Sequence, residues 1–213
     1  MKKKFLGFVL SILTALCLCF AFVGCANKGG NATDNSPEGV SGNVLIAYFS
    51  CTNTTKGVAE KIAAVTNGTL YRITPAVPYT SADLNYGNSD CRANREQNDP
   101  ACRPEIAGNA VNTANCDIVF IGYPIWWGQA PKIIYTFLES YDFSGKTIVT
   151  FCTSGSSGIG TSSANLHPSA PAATWINGQR FSGSTADSTI ENWIDGLNLN
   201  MQIKQTPEVK NEN

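Results

Sequence analysis

The sequence predicts an α/β domain, a parallel β-sheet covered by helices on both faces. Three runs, VLIAYF at 44–49, CDIVFIGYP at 116–124 and KTIVTFC at 146–152, are apolar without a break. That is the pattern of strands buried on both faces rather than on one. Between and after them lie stretches with helical spacing, and such alternation requires parallel strands joined by crossover helices.

Taken in order, TKGVAEKIAAVT (55–66) follows the first run and places Val58, Ile62 and Val65 on one helical face. TLYRIT (69–74) reads as a short strand. Residues 75–115 are polar and turn-rich, with one helical turn expected at Arg92–Gln97 and the charges of Asp90, Arg92 and Glu96 expected in solvent. After the second run, PKIIYTFLES (131–140) reads as a helix with Pro131 in its first turn. The third run leads into a Gly/Ser-rich stretch, a weak helix before Pro168 and a short strand near Ala173–Ile176. Lone His167 is expected at the surface. The last helix lies in STADSTIENWIDGLNL, with Ser184 or Thr185 as its N-cap. Residues 199–213 form a polar tail.

The N-terminus carries a different signal. Lys2, Lys3 and Lys4 precede an apolar run that ends at Gly24-Cys25, the layout of a secretory signal over residues 1–24. A small residue followed by Cys at that point resembles the lipobox of bacterial lipoproteins, with Phe22 in place of the usual Leu. The resemblance implies lipidation at Cys25, a flexible linker over 25–42, and a domain tethered to a membrane outside the cytoplasm. Loss of the three signal lysines takes the net charge from −1 to −4. A mildly acidic domain argues against a nucleic-acid partner, which wants a basic patch. In an oxidising compartment Cys91 and Cys102 are expected to form a disulfide across the polar stretch between them, stabilising that loop by about 3 kcal/mol or less.

Ligands of a parallel sheet bind at the carboxyl ends of its strands, which singles out three loops. The first, Ser50-Cys51-Thr52-Asn53-Thr54-Thr55, runs straight into a helix and carries four hydroxyls and no charge. Helix N-terminal amides already attract an anion, and the hydroxyls add neutral donors for a phosphate. It is not a P-loop, since no GxxxxGK[ST] exists, and no GxGxxG is present either. It is not a phosphatase loop, because Gly57 stands where the Arg six residues after Cys51 would be needed. The second loop, Pro124-Ile125-Trp126-Trp127-Gly128, sets two tryptophans at the ligand edge and suggests a flat aromatic ligand. The third, Thr153-Ser154-Gly155-Ser156-Ser157-Gly158, lets the backbone approach a ligand closely. No metal site is expected.

With these loops in view, YFSCTNTTKGVAEKIA, GYPIWWGQAPKIIYTFLE, DFSGKTIVTFCTSGSSGIG and RFSGSTADSTIENWI resemble the signature stretches of the flavodoxin family, across roughly residues 43–198 with 75–115 as an inserted loop. The resemblance implies a flavodoxin-like, three-layer doubly wound fold with a five-stranded parallel sheet of order 2-1-3-4-5, and flavin mononucleotide (FMN) as cofactor. The family's phosphate motif T-x-T-G-x-T falls on Ser50, Thr52, Asn53 and Thr55, with Asn53 in the glycine position. Trp127 matches the stacking tryptophan, Trp126 is expected to point inward, and Thr153 to Gly158 would meet the flavin's pyrimidine edge. The third loop lacks the tyrosine that many flavodoxins place over the outer flavin face, leaving that face open unless Tyr79 or Tyr86 of the insertion covers it. The function implied is electron transfer to a redox partner protein or small acceptor. Alternatives are an FMN-dependent NAD(P)H:quinone or small-acceptor oxidoreductase, and a non-redox flavin-binding lipoprotein; catalytic residues are not assigned.

Overall fold

The three apolar runs become the three central strands. In the computed structural model, which describes residues 38–39 and 44–199, β1 (Val44–Tyr48), β3 (Ile118–Pro124) and β4 (Thr147–Thr153) lie side by side. β2 (Thr69–Arg72) and β5 (Thr174–Phe181) form the edges. All four pairings are parallel and the order is β2-β1-β3-β4-β5, as the resemblance implies. The signal segment, Cys25, nearly all of the linker and the tail beyond residue 199 lie outside the described residues. Among the described residues no helix is long and apolar enough to cross a membrane.

Strand side chains alternate between two cores. Leu45, Ala47, Val119, Ile121 and Ile148 pack with α3 (Lys132–Ser140), which buries Ile133, Ile134, Phe137 and Leu138. Val44, Ile46, Phe120, Val149 and Phe151 face the other way, onto α1 (Thr54–Thr66) and α4 (Asp187–Gly196). α1 presents Val58 and Ile62, and α4 presents Ile190 and Ile194. Pro131 sits at the N-cap of α3, one residue before the helix. The N-cap of α4 is Ala186, not Ser184 or Thr185. The Thr185 hydroxyl instead accepts a hydrogen bond from the Ser182 amide at 2.9 Å and so belongs to the preceding turn.

β5 is longer than the four residues expected, because Asn177-Gly178 does not end the strand. Val149 pairs with Ile176 and Phe151 with Gln179, so two residues of β5 lie opposite Thr150. Asn177-Gly178 is therefore a β-bulge. A Cβ on Gly178 would stand 2.1 Å from the Thr150 carbonyl oxygen. The missing side chain is what lets the two backbones meet.

The 75–115 insertion departs most from expectation. Its helix α2 runs over Arg92–Asn98, and a two-residue antiparallel pairing of Thr74–Pro75 with Ile106–Ala107 closes its base. Cys91, Ala93 and Val111 are buried in the α3-side core. Arg92 and Glu96 are not solvated charges. Glu96 accepts hydrogen bonds from Tyr79 Oη at 2.5 Å and Arg92 Nε at 2.6 Å, and the Arg92 guanidinium lies 4.0 Å from the centre of the Tyr79 ring. The disulfide also fails: Cys91 and Cys102 are both free. α2 separates them, since its seven residues advance the chain roughly 10 Å, and Cys91 is turned into the core. His167 is half-buried, its ring stacked on Trp175 at 4.5 Å.

Gly178→Ala is expected to destabilise the domain by about 2 kcal/mol through backbone overpacking. Gly57→Ala, in the interior of α1 with open space around its Cβ, should stabilise it by about 0.5–1 kcal/mol. Urea denaturation with an unchanged m-value measures both; equal shifts of one sign would contradict the bulge assignment.

Candidate functional site

The first loop leaves β1 through Phe49, whose amide donates to the Gly122 carbonyl at 2.9 Å. Ser50 follows and is 4% exposed, and its Oγ is buried with no hydrogen-bond partner. Buried hydroxyls are normally satisfied, so this one points to a missing acceptor or donor in the cleft it lines. Asn53 takes φ 63°, the left-handed conformation that the family motif assigns to glycine, and α1 begins at the next residue. The first-turn amides of a helix have no partners within it, which leaves them available at the same spot. Thr55 Oγ1 shares a buried 2.8 Å hydrogen bond with Thr153 Oγ1, tying the first loop to the third.

The second loop is a two-residue hairpin. Trp126 and Gln129 exchange backbone hydrogen bonds, each of 2.9 Å, and Trp127 (φ 46°) and Gly128 (φ 76°) occupy the central positions. Two positive φ values mark a type I′ turn, an uncommon site for a tryptophan and one that holds backbone strain. The turn separates the two rings. Trp126 is 3% exposed and meets Phe49 and Tyr79 edge to face at 5.5 and 5.2 Å. Trp127 is 42% exposed and contacts Tyr86, with ring centres 4.6 Å apart. Gln97 of α2 steadies the turn from behind, its Nε2 donating to the carbonyls of Trp126 and Ala130 at 3.0 and 3.3 Å.

The third loop continues β4. Thr153, Ser154 and Gly155 line the cleft, whereas Ser156, Ser157 and Gly158 are exposed and lie beyond its lining. Arg180 of β5 donates to the Ser154 and Gly155 carbonyls at 2.7 and 2.8 Å and to Ser154 Oγ at 3.3 Å. A fourth segment, Ser182-Gly183, completes the wall, and a Cβ on Gly183 would stand 3.2 Å from Thr54 Cγ2. Its place in RFSGST, directly after β5, is the sequence signal for it, and it is masked because the apolar strand pattern stops near Ile176.

These segments enclose a cleft of about 660 Å³, within the size of small-ligand sites. Of the residues assigned from sequence, Ser50, Thr52, Thr54, Thr55, Pro124, Ile125 and Trp126 line it. Asn53, Trp127 and Gly128 shape it without lining it. Cys51 and, from the insertion, Leu84 and Tyr86 were not among the assigned residues. Tyr86 borders the cleft and Tyr79 is packed behind it, so the insertion supplies the aromatic side chain that the third loop lacks. Burial pushes the Cys51 thiol up to about 11, with Arg72 opposing, so Cys51 stays protonated at neutral pH and is a poor nucleophile. The lining is otherwise hydroxyls, amides and apolar or aromatic surface. An orphan hydroxyl, a left-handed entry into α1 and two aromatic side chains in the lining, Tyr86 and Trp126, fit a flat ring carrying a phosphate, as FMN does.

The family model described as Flavodoxin matches residues 43–197. A solved chain described as a flavoprotein from Bacteroides eggerthii is 45% identical, with a TM-score of 0.70, over 75% of this chain and 99% of that one. A second, from Bacteroides uniformis, is 40% identical with a TM-score of 0.69, over 72% and 98%. A flavoprotein from Lactobacillus acidophilus solved in complex with FMN is 25% identical with a TM-score of 0.55, over 72% and 99%. Among curated proteins nothing matches.

Proposed function

The chain belongs to the flavodoxin family, and on that premise we propose that it holds FMN in this cleft and carries electrons for a partner outside the cytoplasm. The observation that carries the reading is Ser50 Oγ, buried and unpartnered at the mouth of α1. A phosphate there would accept its proton together with those of the first-turn amides and the threonine hydroxyls. The bound cofactor would supply reversible redox chemistry that side chains do not have.

The chain's own residues divide the remaining work. Thr55 and Thr153 hold the first and third loops at a set distance. Trp126 fills the space behind the second loop, and the type I′ turn presents Trp127 outward. Tyr86 and Trp127, 55% and 42% exposed, form an aromatic rim at the cleft. A flat, partly apolar rim of this kind suits a docking partner and favours the carrier reading. The basic segment, apolar run and Gly24-Cys25 support export and attachment through a lipid on Cys25.

Because Ser50 Oγ has no partner, Ser50→Ala should leave the stability of the cofactor-free protein unchanged within about 0.5 kcal/mol. It should weaken FMN binding by roughly tenfold to a hundredfold, the worth of one charged hydrogen bond. Flavin fluorescence titration reads the affinity, and purified protein that cannot be reconstituted to a yellow, dithionite-bleachable form would defeat the cofactor assignment. Stopped-flow mixing with NADH or NADPH and a quinone should show no rapid turnover; rapid turnover would replace the carrier reading with a reductase. Mass spectrometry of protein from membranes should find a mature N-terminus at lipidated Cys25, and any other N-terminus would remove the anchor.

A further inference from the structure

None of the side chains lining the cleft is charged, yet each of its two flanking loops is fastened by a guanidinium. From one edge of the sheet, Arg72 Nη2 donates to the Ser50 carbonyl at 3.3 Å. From the other, Arg180 holds the Ser154 and Gly155 carbonyls. Among the described residues the ion pairs are Lys56–Glu60, Lys61–Asp187, Arg92–Glu96 and Arg103–Glu139, so neither arginine is neutralised by a carboxylate. Arg180 is half-buried and its charge reaches its neighbours. It opposes the burial that pushes the Cys152 thiol up to about 12.

We propose that Arg180 raises the reduction potential of the bound flavin by placing an uncompensated positive charge behind the loop that meets the flavin's pyrimidine edge. This rests on the FMN reading above. On reduction at neutral pH the flavin ring takes up two electrons and one proton and gains one negative charge. A fixed cation at the third loop attracts that anionic form and not the neutral oxidised one, and only such differential binding moves an equilibrium. Arg72 stands at the phosphate loop, and the phosphate carries the same charge in both redox states. Its contribution is therefore to affinity alone. The β5 bulge at Asn177-Gly178 re-phases the strand and pairs Arg180 with Cys152, in register with the end of β4.

Four FMN-loaded proteins test this: wild type, Arg180→Gln, Arg180→Lys and Arg72→Gln. Each is reduced anaerobically against a reference dye with dithionite, which supplies the electrons and is oxidised to sulfite. Arg180→Gln should bind the reduced flavin about tenfold less tightly relative to the oxidised form, which lowers a two-electron potential by about 30 mV. Arg180→Lys, which keeps the charge and loses the forked grip, should hold the wild-type ratio within about threefold. Arg72→Gln should weaken both redox forms and leave the potential in place. The proposal is overturned if Arg180→Gln weakens both forms equally, if Arg180→Lys falls as far as Arg180→Gln, or if Arg72→Gln moves the potential as much. Should Arg180→Gln not fold, added salt on the wild type should lower the potential by screening, and a rise would count against it. Wild-type protein that binds no FMN overturns this and the cofactor reading together; a potential indifferent to Arg180 in protein that binds FMN overturns this one alone.

Discussion

Because β1, β3 and β4 are apolar on both faces, none can sit at the surface of a sheet, and each must be covered by helices on two sides. Crossover helices force the strands to run parallel, so all three end at one edge of the sheet. That edge is where the cleft forms, from loops far apart in sequence. The buried hydrogen bond between Thr55 and Thr153 spans 98 positions in the chain, and it can form only because β1 and β4 finish level on either side of β3. The binding site is thus a consequence of how the core is covered.

The first and third loops solve the same problem in the same way. A loop that turns its amides toward a ligand leaves its carbonyls facing back, and buried carbonyls need donors. Here an edge strand supplies a guanidinium for each, Arg72 from β2 and Arg180 from β5. Guanidinium groups suit the task because their several donors can hold two carbonyls at once. The result is a neutral cleft with positive charge directly behind both walls, inside a chain whose net charge is slightly negative.

The insertion shows where polar composition misleads. Residues 75–115 look solvated because they hold many charges and turn residues, yet Tyr79, Arg92 and Glu96 form a hydrogen-bonded cluster against the Phe49–Trp126 edge. Burial and the Glu96 hydrogen bond push the Tyr79 hydroxyl well above the usual phenol range. Satisfied polar clusters of this kind fix a segment in one arrangement. Here it holds α2 in place, from which Gln97 reaches the tryptophan turn, and the same insertion carries Tyr86 to the cleft.

From residue types and spacing alone came the parallel sheet, its three buried strands and the three loops at its edge. Each rests on local chemistry: continuous apolar runs, helical spacing between them, hydroxyls before a helix. Resemblance to the family added the strand order, the glycine-like place of Asn53 and the inward packing of Trp126. Tertiary structure decided the rest. The sequence marks a strand only near Ala173–Ile176, and pairing against Thr150 makes Asn177-Gly178 a bulge that carries β5 on through Arg180 to Phe181, next to Ser182 and Gly183. Cys91 and Cys102 look near enough in sequence to bond, but packing turns Cys91 into the core and both stay free. Which polar groups of the insertion leave water depends on partners far along the chain, 17 residues away for Glu96 and Tyr79 and 29 for Gln97 and Trp126. No local pattern encodes such long-range contacts, because they are fixed by packing against elements that the segment itself does not contain.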